Sequence, residues 1–131
     1  MKRVLIADDE PIERMIVTRT IQKYFPEELA VVSAVNGREA VEQFFAENCQ
    51  IALLDIEMPG MNGLEAAEQI RERDKNCSII FLTAFDEFNY AKRAIAVRAM
   101  EYLLKPVEDQ ELEAVLAEAI RIADEHTDDR E

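Results

Sequence analysis

Asp55 closes the apolar run at residues 51–54 and is followed by Glu57 and by Met58-Pro59-Gly60, which continues neither a strand nor a helix. The segment reads as a buried strand with a carboxylate at its tip. Alone, such an aspartate is equally well explained as a cap or a turn. Three further apolar runs also end in polar groups. Residues 4–7 lead into Asp8-Asp9-Glu10, residues 79–82 into Thr83-Ala84, and residues 102–104 into Lys105-Pro106. Each has a plain structural explanation by itself: Asp8-Asp9-Glu10 before Pro11 suits a helix N-terminus, Thr83 suits a strand, and Lys105 suits a surface. Their joint position at four strand tips is what points to chemistry. Carboxylates about 4 Å apart repel by about 4 kcal/mol at an effective dielectric near 20, so Asp8, Asp9 and Asp55 together require cations. Lys105 supplies one charge. A hard divalent ion with oxygen ligands, most simply Mg²⁺, supplies the rest. A carboxylate left unshared can attack phosphorus while the metal, Lys105 and Thr83 hold the phosphoryl oxygens.

The elements that must position these groups are legible as alternation. Five short apolar runs, at residues 4–7, 30–32, 51–54, 79–82 and 102–104, lack a period of two and suit parallel strands covered on both faces. Five amphipathic stretches lie between and after them. The first opens at Pro11, stops before Pro26 and offers Ile12, Ile16, Val17, Ile21 and Tyr24 to the core. The second follows Asn36-Gly37 with Ala40, Val41, Phe44 and Phe45. The third begins near Asn62-Gly63 with Leu64, Ala67 and Ile70. The fourth, from about Glu87, offers Phe88, Ala91 and Ile95. The fifth, from Asp109, offers Leu112, Val115, Leu116, Ala119 and Ala123. Such βα units predict a doubly wound α/β fold with five parallel strands in the flavodoxin-like order 2-1-3-4-5. That order makes the second strand an edge and sets the four polar tips along one crevice. The domain is expected over residues 1–123, with 124–131 a polar tail or the start of a linker; His126 is expected to be a solvated residue of that tail.

With 28 acidic and 15 basic residues the net charge is −13, which opposes direct nucleic-acid binding by this segment. Only four apolar residues separate Met1-Lys2-Arg3 from the acidic cluster, too few for a signal peptide or a membrane span, so the expected location is cytoplasmic. Cys49 and Cys77, each two residues before an apolar run, are expected to be reduced structural thiols that could be neighbours at the starts of adjacent strands.

The motifs at residues 4–11, 54–63, 82–84 and 102–106 resemble the receiver domain of bacterial two-component response regulators, and the likeness covers residues 1–123. The resemblance implies that Asp55 accepts a phosphoryl group from a phosphohistidine on a sensor histidine kinase. It implies Mg²⁺ held by Asp9, Asp55 and the backbone carbonyl of Glu57, with Asp8 acting through water. Thr83 and Lys105 would contact the phosphoryl group, Tyr102 would change rotamer on activation, and Lys105-Pro106 matches a peptide bond that is cis in such domains. Phe85-Asp86-Glu87-Phe88 with Tyr102-Leu103-Leu104-Lys105-Pro106 looks most like receivers joined to AraC-type DNA-binding domains. One departure is Arg98, which stands where the family commonly has a small residue, often glycine, after the fourth helix. Output through the fourth helix, fifth strand and fifth helix, including homodimerisation on that face, is the expected consequence. Two alternatives belong to other classes. A haloacid-dehalogenase-like phosphatase also pairs a nucleophilic Asp with Mg²⁺, but it calls for a second Asp where Glu57 stands. A receiver-like interaction module that is never phosphorylated leaves the filled chemical positions unexplained.

Overall fold

The computed structural model describes the backbone of residues 1–130 and the side chains of residues 1–126. Five strands, β1 (Lys2–Ala7), β2 (Leu29–Ala34), β3 (Ile51–Asp55), β4 (Ser78–Thr83) and β5 (Glu101–Leu104), alternate with five helices. The helices are α1 (Pro11–Tyr24), α2 (Gly37–Ala46), α3 (Gly63–Arg73), α4 (Phe88–Ala96) and α5 (Asp109–Arg130). The sheet is parallel throughout with order β2-β1-β3-β4-β5, the predicted arrangement. Register aligns the functional tips: Ala7 pairs with Leu54, Asp55 with Leu82 and Thr83 with Leu104. The groups that follow these residues therefore leave the sheet on the same edge.

β3 and β4 are buried along their whole length, which is why their sequences do not alternate. Their two faces feed separate cores. One collects Leu5, Phe44, Leu54, Leu64, Ile70 and Phe81 under α2, α3 and α4. The other collects Ile6, Ile21, Leu53, Ile80, Leu103 and Leu116 under α1 and α5. Cys49 and Cys77 are free, buried thiols in the first of these cores. Burial is the main cause that raises their pKa values, to about 11 for Cys49 and about 12 for Cys77.

Two helices turn differently from their apolar spacing. Ile12 and Ile16 of α1 are 66% and 50% exposed; the helix buries Ile21, as its spacing implies, and also Thr20. In α4, Phe88 and Ile95 are 81% and 77% exposed, while Ala94 is the buried residue and Tyr90 packs at the core's margin. The inward face of α4 is thus carried by a small residue, and its bulkiest side chains point outward.

The polar end after Ala123 is helical, since α5 runs unbroken to Arg130. His126 is half-buried and lines a cavity with Cys49 and Cys77, so it is not simply solvated.

Candidate functional site

The loop after β3 is built to hold Asp55 in place. Asn62 caps α3 by accepting from the Glu65 amide while Glu65 Oε1 accepts from the Asn62 amide. This brings Gly63 against the strand end, where its amide donates to the Ile56 carbonyl at 3.0 Å. A Cβ at residue 63 would lie 2.0 Å from the Asp55 carbonyl oxygen, so only glycine fits. The start of α2 locks onto the same loop, with the Gly37 amide donating to the Met61 carbonyl at 3.0 Å.

Carboxylate oxygens of Asp8, Asp9 and Asp55 lie within 4.8 Å of one another. Asp8 and Asp55 are buried, the latter only 7% exposed, and Asp9 is open to solvent. Lys105 reaches in from the end of β5. Its Nζ is 2.9 Å from Asp8 Oδ2, 3.7 Å from Asp55 Oδ1 and 4.0 Å from Glu13 Oε2. Burial is the largest influence on Asp55 and raises its pKa; Lys105 pulls it down, Asp8 and Asp9 push it up, and the result is about 6. At Lys105 burial disfavours the charge, but the hydrogen bond to Asp8 and the fields of Asp55, Asp8 and Glu13 outweigh it, and the pKa is raised. One ammonium thus faces three clustered carboxylates, a donor set of hard oxygens with net negative charge that fits a hard divalent cation. Asp55 and Lys105 line a cavity of about 470 Å³ that extends past Ile16, Leu82 and Pro106 to Leu112.

The deciding comparison is with known sequences: the model of the response regulator receiver domain matches residues 4–117. The chain belongs to the response regulator receiver domain family. This receiver domain is 41% identical over 118 residues to the positive alginate biosynthesis regulatory protein of Pseudomonas aeruginosa, covering 90% of the chain and 47% of that protein. It is 34% identical over 120 residues to the transcriptional regulatory protein YesN of Bacillus subtilis, with coverage of 92% and 33%. The chain thus spans less than half the length of these curated relatives. Among solved structures, the Mg²⁺–BeF complex of the response regulator TrrA from Thermotoga maritima matches with a TM-score of 0.80 and 38% identity, covering 91% of this chain and 99% of that one. The receiver domain of AraT from Geobacillus stearothermophilus matches with a TM-score of 0.84 and 35% identity, covering 96% and 98%. Nothing in these matches supports a haloacid-dehalogenase-like phosphatase.

The remaining expected residues of the receiver domain are placed in different ways. Thr83 is fully buried and does not line the cavity; its Oγ1 accepts from the Phe85 amide at 3.1 Å. Tyr102 is half-buried against the core, and its hydroxyl donates to the Phe85 carbonyl at 2.7 Å. Both therefore hang on the same peptide segment. Lys105-Pro106 is cis, as the resemblance implies. Glu57 is exposed, and its carboxylate accepts from the Tyr90 hydroxyl, which pushes the Tyr90 pKa up to about 12. Arg98 takes a positive φ of 57°, the conformation for which glycine is the usual residue.

Sequence reasoning overlooked Gly63 as a packing requirement, Tyr90 as the partner of Glu57, and Arg71. The last is a buried guanidinium that donates to the carbonyls of Val97 at 2.7 Å, Cys77 at 2.8 Å and Arg98 at 3.2 Å. Nothing local distinguishes Arg71 from the surface basic residues around it, because its acceptors come from the turn after α4 and from Cys77, just before β4. The requirement at Gly63 was within reach, since Asn62-Gly63 lies one residue beyond the strand-breaking Met58-Pro59-Gly60.

Proposed function

We propose that this receiver domain accepts a phosphoryl group on Asp55 from a sensor histidine kinase, with Mg²⁺ held by Asp9, Asp55 and the Glu57 carbonyl and with Asp8 acting through water. The observation that carries the reading is the convergence of Asp8, Asp9 and Asp55 within 4.8 Å around a single lysine. Bound there, Mg²⁺ would neutralise charge on the carboxylates and on phosphoryl oxygens. The protein's own residues do the rest. A carboxylate oxygen of Asp55 is the nucleophile, and its backbone is fixed by Gly63. Lys105 already sits between Asp8 and Asp55 and offers its ammonium to the oxygens that arrive. Thr83 accepts one hydrogen bond from Phe85 and keeps its own proton to donate. Its burial means that it must reorient to reach the phosphoryl group, and the Phe85 segment that holds both Thr83 and Tyr102 would move with it.

The output reading is that phosphorylation alters the face made by α4, β5 and α5 and promotes self-association there. Phe88, Ile95 and Leu104 are exposed on α4 and β5, which supports an apolar contact. A relative named a transcriptional regulatory protein supports an output in transcription, through an AraC-type or other DNA-binding domain, with residues 1–123 as the receiver unit and 124–131 as a polar tail or the start of a linker. Ala123 is the last buried residue of α5 among those described. No helix among the described residues is long and apolar enough to cross a membrane, which agrees with a cytoplasmic setting.

The test is incubation with a small phosphodonor, with Mg²⁺ and with EDTA. Stoichiometric, acid-stable and base-labile label that depends on Mg²⁺ is expected, together with a concentration-dependent shift in sedimentation. Phosphorylation without any change in mass distribution would remove the self-association step, and label independent of Mg²⁺ would remove the metal.

A further inference from the structure

The two ends of α4 are held very differently. At the C-terminal end the buried Arg71 guanidinium bonds the carbonyls of Val97 and Arg98, and Val97 and Ala94 are packed. At the N-terminal end no side chain caps the helix, and Phe88 points into solvent. The first turn is tied to the rest of the domain by Tyr90, whose hydroxyl donates to the Glu57 carboxylate across 33 residues. Phenol-to-carboxylate bonds are charge-assisted and stronger than neutral ones. Glu57 lines the same cavity as Asp55 and Lys105, yet it is not among the carboxylates clustered within 4.8 Å, which are Asp8, Asp9 and Asp55.

We propose that Tyr90 is a positioning residue for the cation site: its phenol holds the Glu57 carboxylate against α4 and outside the Asp8, Asp9 and Asp55 cluster. Cation affinity and the position of the first turn of α4 are thereby set together. The inference rests on the metal reading above and adds a connection that runs through a side chain instead of the Thr83 and Tyr102 segment. Released from Tyr90, the Glu57 side chain is free to swing toward the cluster and add a fourth negative charge to the field around the ion. The coupling is reciprocal: what moves the first turn of α4 changes cation affinity, and cation binding moves that turn.

The experiment is a Mg²⁺ titration of the unphosphorylated protein in four forms: wild type, Tyr90→Phe, Glu57→Ala and the double variant. Tyr90→Phe is expected to bind Mg²⁺ about two- to fivefold more tightly, a gain that shrinks at high ionic strength. In the Glu57→Ala background the same substitution is expected to change nothing, because the carboxylate it releases is gone. Tyr90→Phe removes one hydroxyl at the surface, so its melting curve is expected to overlay that of wild type. A Phe88→Trp probe should respond to Mg²⁺ with Tyr90 present and lose that response with Phe at 90. Equal affinity of wild type and Tyr90→Phe, or the same tightening without Glu57, would overturn the proposal. Wild type that binds no Mg²⁺ at all would instead overturn the reading of the site on which it rests.

Discussion

Replacing Asp55 with Asn should make the metal-free domain more stable, and the size of the effect follows from the site. The carboxylate is buried beside Asp8 and Asp9, and its pKa rises from the ordinary 3.8 to about 6. Below the unfolded value the group is protonated in both states and carries no penalty. As pH rises from about 4 to about 6 the unfolded chain ionises first, so the folded state loses about 1.4 kcal/mol per pH unit. Above the folded value both states are ionised and the loss levels off, at about 3 kcal/mol by pH 7. Asn keeps the shape and removes the charge. In EDTA the variant and wild type should therefore melt together near pH 4 and separate to on the order of 10 °C by pH 7. Adding Mg²⁺ should narrow the gap by stabilising wild type, since the ion binds the folded state. Melting curves by calorimetry or circular dichroism between pH 4 and 8 provide the assay. Parallel stability profiles for the two proteins across that range would show that Asp55 bears no electrostatic burden, and the argument for a cation would fall with it.

Other consequences are local. Gly63→Ala places a methyl group 2.0 Å from the Asp55 carbonyl oxygen, and urea unfolding should show a loss of about 1–3 kcal/mol together with weaker Mg²⁺ binding. Arg98→Gly relieves a left-handed residue at φ 57° and should stabilise the fold by up to about 1 kcal/mol, the relief being partly offset by the greater freedom of glycine in the unfolded chain. A destabilised Arg98→Gly protein would mean that the Arg98 side chain, not its strained backbone, dominates there. Cys49 and Cys77, with thiol pKa values raised to about 11 and 12 by burial, should resist alkylation at pH 8 in the folded protein and react once it is unfolded. Rapid labelling of the native protein would show that this core opens.

The fold was legible because each level of the sequence agreed. Fully buried β3 and β4 must be continuous apolar runs, Pro11, Asn36 and Asn62 mark helix starts, and the polar tips fall on one edge only in a parallel sheet of this order. The acidic cluster and Lys105 were legible for the same reason, since register follows from strand ends. Helix faces were harder. Spacing alone marked Ile12, Ile16, Phe88 and Ile95 as inward, but all four are exposed, because burial depends on which part of a helix its neighbours cover. In α4 the one buried residue is Ala94. The bonds of Arg71 to Val97 and Arg98 and the pairing of Tyr90 with Glu57 were beyond reach because these partners are distant in sequence and meet only after the helices dock.

The central claim is that Asp55 is the phosphoryl acceptor, and locating the modified residue tests it most directly. After reaction with a small phosphodonor and Mg²⁺, reduction of the acyl phosphate with borohydride followed by peptide mass spectrometry should mark residue 55 and no other. The Asp55→Asn protein, still folded and more stable without metal, should take up no stoichiometric label. Full labelling of that variant, or a mark at Asp8, Asp9 or Glu57 in wild type, would contradict the account.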